Sequence, residues 1–192
     1  MIISIVGLSG SGKSFISKTL ESYNHHIMHI DVDKIGHKSH QDPIVKEKLI
    51  NTFGMSILTN GNIDRKIMAK IVFSSNEAMK QLEDITWNYM EQEIDKIIAD
   101  NQNKIILLDW LLLPKTKYFY QSDLRILVTA PFEVRLERAI KRDGITKEKF
   151  LERENAAPST DPTQFEHIIN NVNLEQTKEK VKQIYDQSFI HR

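Results

Sequence analysis

The stretch GLSGSGKS, Gly7 to Ser14, follows the apolar run MIISIV at the start of the chain. It fits the pattern G-x-x-x-x-G-K-[ST], with Lys13 and Ser14 in the last two positions. Glycines let backbone N–H groups approach phosphate oxygens, and the helix that follows adds unpaired N–H donors and the positive end of its dipole. The strand before this stretch and the helical pattern after it favour a phosphate-binding loop over a chance Gly/Ser turn.

Each position of this loop is a candidate contact for ATP. Lys13 can reach the β- and γ-phosphates, and the hydroxyl of Ser14 can bind Mg²⁺. ATP and Mg²⁺ are therefore the expected co-substrate and metal. The expected loop contacts are Gly7, Ser9, Gly10, Ser11, Gly12, Lys13, Ser14 and Phe15.

Short apolar segments alternate with helical patterns along the rest of the chain. The predicted strands are Ile2–Val6, Ile27–Val32, Ile105–Asp109, Leu124–Thr129 and Glu166–Asn170. One predicted helix spans Lys13–Tyr23, one begins at Pro131, and one begins after Asn173, which has capping-box spacing to Gln176. Continuous Ile/Leu/Val runs are typical of parallel strands covered on both faces. The alternation predicts an α/β fold of three layers, α/β/α, around a five-stranded parallel sheet.

More than seventy residues separate the second and third predicted strands, which is too many for one crossover helix. Apolar residues recur within them at helical spacing, at Ala78, Leu82, Ile85, Tyr89 and Ile97. We expect a helical insert at about residues 55–100, within a single domain of residues 1–192.

The composition argues against several classes of partner. Lys plus Arg and Asp plus Glu both total 26, so no net charge attracts nucleic acid or anionic lipid. With no cysteine, disulfides and thiolate metal sites are excluded, and no histidine spacing indicates zinc. The longest apolar stretch, IILLDWLLLP at 105–114, is shorter than the about 20 residues that cross a bilayer. We expect a cytoplasmic protein, a monomer or weak homo-oligomer, without membrane or nucleic-acid partners.

Two carboxylates stand at the end of the second predicted strand, in IDVD at Ile30–Asp33. If strand alternation continues through them, Asp31 and Asp33 share one side, where ligands of parallel sheets gather. A carboxylate there can orient or deprotonate a hydroxyl that attacks ATP, and Asp33 is the candidate for this role. Capping of the next helix is the structural alternative for both residues, and for Asp31 both interpretations stay open.

A third carboxylate, Asp109, ends the strand IILLD. A carboxylate in this position of a nucleotide-binding sheet holds Mg²⁺, and a structural cap is the competing explanation. Oxygen ligands combined with nucleotide phosphates favour Mg²⁺ over other metals.

The segment RLERAIKRDGITKEKFLER carries arginines at positions 135, 138, 142 and 153. Arg138 and Arg142 are four residues apart and share one helix face. Guanidinium groups on a mobile segment can close over a transferring phosphate, although a charged surface helix paired with glutamates is the ordinary alternative. We favour a catalytic role for Arg142, beside the Asp143–Gly144 turn.

Together these segments resemble the dephospho-CoA kinase family of P-loop kinases over nearly the whole chain. The motifs that carry the resemblance are the octet, IDVD at Ile30–Asp33, FG at Phe53–Gly54, NGNIDRKIMAKIVF at Asn60–Phe73, LEDIT at Leu82–Thr86, LLDWLLL at Leu107–Leu113, RLERAIKRDG at Arg135–Gly144, Arg153 and IINN at Ile168–Asn171. The octet is shared by many nucleotide-binding proteins, whereas the IDR…VF segment is more diagnostic.

The resemblance implies transfer of the ATP γ-phosphoryl group to the ribose 3′-hydroxyl of dephospho-CoA, giving CoA and ADP. It makes Asp33 the base, Lys13 and Ser14 the phosphate and Mg²⁺ residues, and Arg142 the arginine of a lid at about residues 138–160. The helical insert, with Arg65 and Phe73, then forms the acceptor side together with Asp33.

The chain departs from the family pattern on the acceptor and lid sides. Trp87–Asn88 replaces a usual His-Pro, WLLLP at Trp110–Pro114 has proline where glutamate is common, and Ala157 replaces a glutamine. Two alternatives therefore stay open. One is a P-loop kinase for another small hydroxyl acceptor such as a nucleoside or nucleotide, and the other is a module that binds ATP without transferring it.

Overall fold

A computed structural model describes residues 1–189 of the chain. The strands are β1 (Ile2–Val6), β2 (Ile27–Asp31), β3 (Leu58–Thr59), β4 (Asn62–Ile63), β5 (Ile105–Asp109), β6 (Leu124–Thr129) and β7 (His167–Asn170). The helices are α1 (Lys13–Tyr23), α2 (Val32–Ser39), α3 (Pro43–Phe53), α4 (Arg65–Val72), α5 (Asn76–Asp100), α6 (Lys117–Tyr120), α7 (Phe132–Asp143), α8 (Lys147–Ala156) and α9 (Leu174–Phe189).

The main sheet has five parallel strands in the order β2-β5-β1-β6-β7, which confirms the predicted sheet and α/β fold. Its central strand, β1, pairs Ile5 with Asp109 of β5 and with Ile126 of β6. Since all five strands run in one direction, their carboxyl ends share one edge of the sheet. The glycine-rich loop leaves β1 at this edge.

Helix α1 has the bounds that the sequence predicted, Lys13–Tyr23. Its buried Ile16 and Leu20 pack in one apolar cluster with Ile126 of the sheet and Val181 and Ile184 of α9. Full burial of such a side chain stabilises the fold by about 1.5–3 kcal/mol. The cluster therefore holds the helix, and the loop in front of it, against the sheet.

Residues 32–101 form a compact unit of their own, and among the described residues 1–31 and 102–189 form the other. This unit has a separate apolar core that includes Leu49 of α3 and Met68 of α4. Aspartates begin two of its helices, because Asp42 accepts hydrogen bonds from the first turn of α3 and Asp64 from that of α4. Residues 55–100 are largely helical, in α4 and α5.

The end of β2 differs from the prediction. The strand ends at Asp31, and helix α2 begins at Val32, whose side chain is fully buried. The prediction that Asp31 and Asp33 share one face of a strand is therefore wrong. Asp33 lies instead in the first turn of α2, where the helix dipole favours a carboxylate.

Two other boundaries shift by one residue. Pro131 occupies the N-cap, so α7 begins at Phe132, and β7 begins at His167 instead of Glu166. The expected cap of α9 is confirmed, since Asn173 Oδ1 accepts a hydrogen bond from the backbone N–H of Gln176 at 3.1 Å. Within residues 1–189, no helix has both the length and the apolarity that crossing a bilayer requires.

Candidate active site

Close backbone contacts fix the shape of the glycine-rich loop. Gly10 has φ +78°, and a Cβ added to it would lie 2.3 Å from the carbonyl oxygen of Arg135. Gly12 has φ +94°, and a Cβ there would lie 2.0 Å from Nδ2 of Asn171. Because L side chains strongly disfavour these dihedral angles and nothing larger than hydrogen fits, the loop requires glycine at both positions.

A cavity of about 350 Å³ lies over this loop, lined by Gly10, Gly12, Lys13, Ser14, Phe15, Arg138, Lys141 and Arg142. Its charged lining residues are all cationic, and the N-terminus of α1 opens into it. Backbone N–H groups at a helix N-terminus together with cationic side chains make an anion-binding site. The glycines that leave no room for side chains fit a polyphosphate chain.

The structure brings together most of the predicted loop contacts but not all of them. Gly7, Ser9 and Ser11 do not line the cavity among the described residues. They form the body of the loop, where the carbonyl oxygen of Gly7 accepts a hydrogen bond from Nζ of Lys13 at 2.7 Å. Lys13 thus folds back over its own loop.

Asp109 is the polar centre beneath the loop. Its side chain is buried, and Oδ2 accepts hydrogen bonds from Oγ of Ser14 at 3.0 Å and from Oγ of Ser17 at 3.4 Å. Nε2 of His29 lies 3.3 Å from the same oxygen. Ser17 and His29 were not among the predicted site residues, although Ser17 lies one turn after Ser14 on the same face of α1.

The donor set around Asp109 fits Mg²⁺ bound jointly with a nucleotide. Ser14 and Asp109 offer two oxygen ligands within hydrogen-bond distance of each other. The described residues contain no group of three or more His, Cys, Asp or Glu side chains that could hold a metal. A hard cation here would therefore complete its coordination with phosphate oxygens and water, as Mg²⁺ commonly does.

Two arginines of α7 differ sharply in environment. Arg135 is buried, pairs with Glu154 of α8, and its Nε donates to the carbonyl oxygen of Ala130 at 3.0 Å. Arg138 lines the cavity, and its Nη1 is buried without a hydrogen-bond partner among the described residues. That nitrogen lies 3.8 Å from the position of a Cβ on Gly12. Arg135 is thus satisfied by the protein, whereas Arg138 keeps an unused donor at the loop.

Arg142, the arginine that the sequence singled out, is held by its neighbour. Its side chain is 62% exposed, and Nε and Nη2 donate to the two carboxylate oxygens of Asp143 at 2.7 and 2.9 Å. Arg153 donates to the same carboxylate at 2.6 Å. The hydrogen bonds from Arg142, followed by those from Arg153, lower the pKa of Asp143 to about 2.

The predicted acceptor-side residues all belong to the unit of residues 32–101. Asp33 is exposed in the first turn of α2. Arg65 is the first residue of α4 and Phe73 caps its C-terminus, with 59% of Phe73 exposed. The two ends of one short helix therefore carry Arg65 and Phe73.

A second cavity, of about 460 Å³, lies around the starts of β6 and β7, lined in part by Tyr120, Arg125 and Glu166. It is at the amino ends of the strands, opposite the glycine-rich loop. The backbone N–H and Nε of Arg125 donate hydrogen bonds to the Glu166 carboxylate there. The cavity over the loop is therefore the better candidate for nucleotide binding.

Comparison with known protein families gives a match over most of the chain. The family model described as dephospho-CoA kinase matches residues 1–176. A dephospho-CoA kinase of Aquifex aeolicus is 34% identical over 194 residues, covering 96% of this chain and 96% of its own. One from Fusobacterium nucleatum is 34% identical over 193 residues, covering 95% of this chain and 97% of its own.

Solved structures give the same picture. A crystal structure from Thermus thermophilus has a TM-score of 0.83 at 25% identity and covers 98% of this chain and 97% of its own. A dephospho-CoA kinase from Campylobacter jejuni has a TM-score of 0.69 at 25% identity, covering 100% and 98%. A shikimate kinase from Acinetobacter baumannii, at 13% identity and a TM-score of 0.57, shares the fold alone.

Proposed function

The chain belongs to the dephospho-CoA kinase family, and from this membership we propose how its residues divide the work of phosphoryl transfer. It is an ATP-dependent kinase that converts dephospho-CoA to CoA, the final step of coenzyme A synthesis. We infer that the accepting group is the ribose 3′-hydroxyl. We also expect the enzyme to act in the cytoplasm, as a monomer or weak homo-oligomer, without nucleic-acid or membrane partners.

The observation that carries the proposal is the cationic cavity above the glycine-rich loop, together with the hydrogen bond from Ser14 to Asp109 beneath the loop. The N–H groups of the loop and the start of α1 hold the phosphates of ATP. Lys13 exchanges the carbonyl oxygen of Gly7 for phosphate oxygens. Ser14 and Asp109 would hold Mg²⁺, which supplies neutralisation of phosphate charge when it is bound.

The acceptor side is assigned to the other unit. Asp33 accepts the proton of the 3′-hydroxyl as its oxygen forms a bond to the γ-phosphorus, and the bond from that phosphorus to the bridging oxygen of ADP breaks. Arg65 and Phe73, at the two ends of α4, bind the acceptor. Residues 55–100 thus act as the acceptor-binding insert.

The lid side is assigned to about residues 138–160. Arg142 leaves Asp143 and binds the transferring phosphate, where a guanidinium stabilises the charge that develops. Closure of this segment excludes water, so hydrolysis of ATP without acceptor is slow.

The proposal is tested by incubating the purified protein with ATP, Mg²⁺ and dephospho-CoA and following CoA and ADP. A panel of nucleosides and nucleotides serves as alternative acceptors, since specificity is a ratio of kcat/KM values. We expect dephospho-CoA to give the highest kcat/KM, with rapid formation of ADP from ATP only when an acceptor is present to take the phosphoryl group. A higher kcat/KM for another acceptor would overturn the substrate assignment.

One alternative rests on specific residues. Trp87–Asn88, Trp110–Pro114 and Ala157 depart from the family pattern on the acceptor and lid sides, which favours a changed acceptor over a changed nucleotide. The same panel of acceptors decides between dephospho-CoA and a different hydroxyl acceptor. Tight ATP binding without turnover for any acceptor would instead support a nucleotide-binding module.

A further inference from the structure

A buried amide fixes one carbonyl group of the glycine-rich loop. Asn171 directly follows β7 and is 5% exposed. Its Nδ2 donates to the carbonyl oxygen of Ser11 at 2.8 Å, across 160 positions of sequence. Its backbone N–H donates to the carbonyl oxygen of Thr129 at 2.8 Å, which ties the residue to the end of β6. The loop is therefore fastened to the carboxyl edge of the sheet.

Thr177, in the first turn of α9, sets the orientation of this amide. Its hydroxyl is buried and donates to Oδ1 of Asn171 at 3.2 Å. An amide group has its acceptor on one side and its donors on the other. With the oxygen held by Thr177, the nitrogen of Asn171 faces the loop.

The hydrogen bond to Ser11 determines where the next N–H group points. In a planar trans peptide the C=O and N–H bonds point in opposite directions. The carbonyl of Ser11 is turned toward Asn171, so the N–H of Gly12 is turned away from it. Gly12 lines the cavity over the loop, whereas the described lining does not include Asn171.

Gly12 would not hold this orientation by itself. Its φ of +94° lies in a region that glycine enters as readily as its mirror image. Without a fixed carbonyl, the Ser11–Gly12 peptide can rotate, and the N–H of Gly12 then leaves the direction in which a phosphate would accept from it.

We propose that Asn171 is a positioning residue for the phosphate-binding loop. Through the carbonyl of Ser11 it keeps the N–H of Gly12 turned toward the bound polyphosphate, and Thr177 keeps the amide of Asn171 in the required orientation. The inference rests on the nucleotide site of the proposed function and is independent of the acceptor.

Asn171→Leu removes the donor at nearly constant side-chain size. We expect it to weaken ADP binding by about 10- to 100-fold, as loss of one hydrogen bond to a charged group does. The KM for ATP should rise similarly, whereas the KM for dephospho-CoA stays within about twofold of wild type, because Asn171 acts only on the phosphate loop. A general structural defect would change both KM values together.

Thr177→Val is the milder variant, because valine keeps the shape and loses only the hydroxyl. We expect it to weaken ADP binding by about 3- to 10-fold, as loss of one neutral hydrogen bond does. Thr116→Val is the matched control, since Thr116 is also buried in this unit and its hydroxyl donates to the carbonyl oxygen of Leu113 at 2.8 Å. ADP affinity should stay at the wild-type value in that control.

Calorimetric titration with ADP gives the decisive outcome. Wild-type ADP affinity in both Asn171→Leu and Thr177→Val would overturn the inference, as would a parallel rise in both KM values. If Asn171→Leu does not fold, Thr177→Val decides alone against its control. Because ADP binding needs no acceptor, a wild-type protein that binds ADP and leaves dephospho-CoA untouched would refute the proposed function only.

Discussion

Arg142 donates two hydrogen bonds to Asp143, the next residue in the chain, at 2.7 and 2.9 Å. The pair lies at the C-terminal end of α7, and Arg153 of α8 donates to the same carboxylate. The side chain that we assign to the transferring phosphate is thus already bound to an anion. A phosphate must compete with Asp143 for it.

Removing this competitor should favour the nucleotide. We expect Asp143→Asn to lower the KM for ATP by about two- to fivefold, the range that corresponds to an exposed ion pair. Glu152→Gln is the matched control, because Glu152 is an exposed acid of α8 that pairs with Lys149 instead. A higher KM for ATP in Asp143→Asn would show that the carboxylate orients Arg142 for binding.

The same pairing predicts a pH dependence of stability. The pKa of Asp143 is lowered in the folded protein from 3.8 to about 2, so its contribution is fully present above about pH 4 and is lost as the pH falls through about 2. Because the pair is exposed, the contribution is at most about 1 kcal/mol. Urea unfolding of wild type and Asp143→Asn should give a constant difference between pH 7 and 5 that shrinks below pH 4. A difference that grows on acidification would contradict this.

Two glycines with left-handed backbones allow the cost of backbone strain to be distinguished from the cost of a steric clash. Gly10 and Gly144 have φ of +78° and +63°, so alanine costs about 1–2 kcal/mol of backbone strain at either position. A Cβ at Gly144 meets nothing within 4 Å, whereas one at Gly10 lies 2.3 Å from the carbonyl oxygen of Arg135. We expect Gly10→Ala to lower the free energy of unfolding by about 1–3 kcal/mol more than Gly144→Ala does. Equal losses in urea unfolding would disprove the close contact.

The unused donor of Arg138 predicts a role in nucleotide affinity. We expect Arg138→Met to weaken ADP binding about tenfold or more, because a bound phosphate would lose the hydrogen bond that the buried Nη1 at the loop can donate. Lys147→Met removes an equal charge from the exposed first residue of α8, outside the described lining of the cavity. ADP titration of the two variants separates a specific contact from a general loss of charge. Equal ADP affinities in Arg138→Met and Lys147→Met would indicate a general loss of charge.

The hydrogen bond between Ser14 and Asp109 beneath the loop leads to a prediction on how activity depends on Mg²⁺. We expect Ser14→Ala and Asp109→Asn each to raise the Mg²⁺ concentration for half-maximal activity by about 10- to 100-fold, since Ser14 lines the cavity over the loop and is hydrogen-bonded to Asp109. Ser22→Ala is the control, because Ser22 is exposed on the same helix and its hydroxyl donates to the carbonyl oxygen of Thr19. An unchanged Mg²⁺ requirement would leave Asp109 as a structural residue.

Local sequence patterns were sufficient to predict the sheet and the glycine-rich loop of the nucleotide site. The bounds of α1, β1, β5 and β6 follow directly from apolar runs and from the glycine octet, because these signals lie within a few residues of the structure they specify. The proximity of Ser14 and Asp109 follows from adjacent parallel strands that end at one edge.

The remaining contacts depend on folding that no local pattern records. The sequence predicted a second strand up to Val32 with Asp31 and Asp33 on one side, but burial of Val32 in a helix prevailed over its preference for strands. Asn171 reaches Ser11 only through the pairing of β7 with β6. His29 lies within strand β2, and nothing in the sequence around it indicates its contact with Asp109.

Turnover of Asp33→Asn tests the central claim most directly, namely that this carboxylate takes the proton of the attacking hydroxyl. The account predicts that kcat with dephospho-CoA falls by about 10²- to 10⁴-fold while ADP affinity stays at the wild-type value. Asp31→Asn, measured in parallel, should retain more activity. Near-normal turnover in Asp33→Asn, or a larger loss in Asp31→Asn, would contradict the assignment.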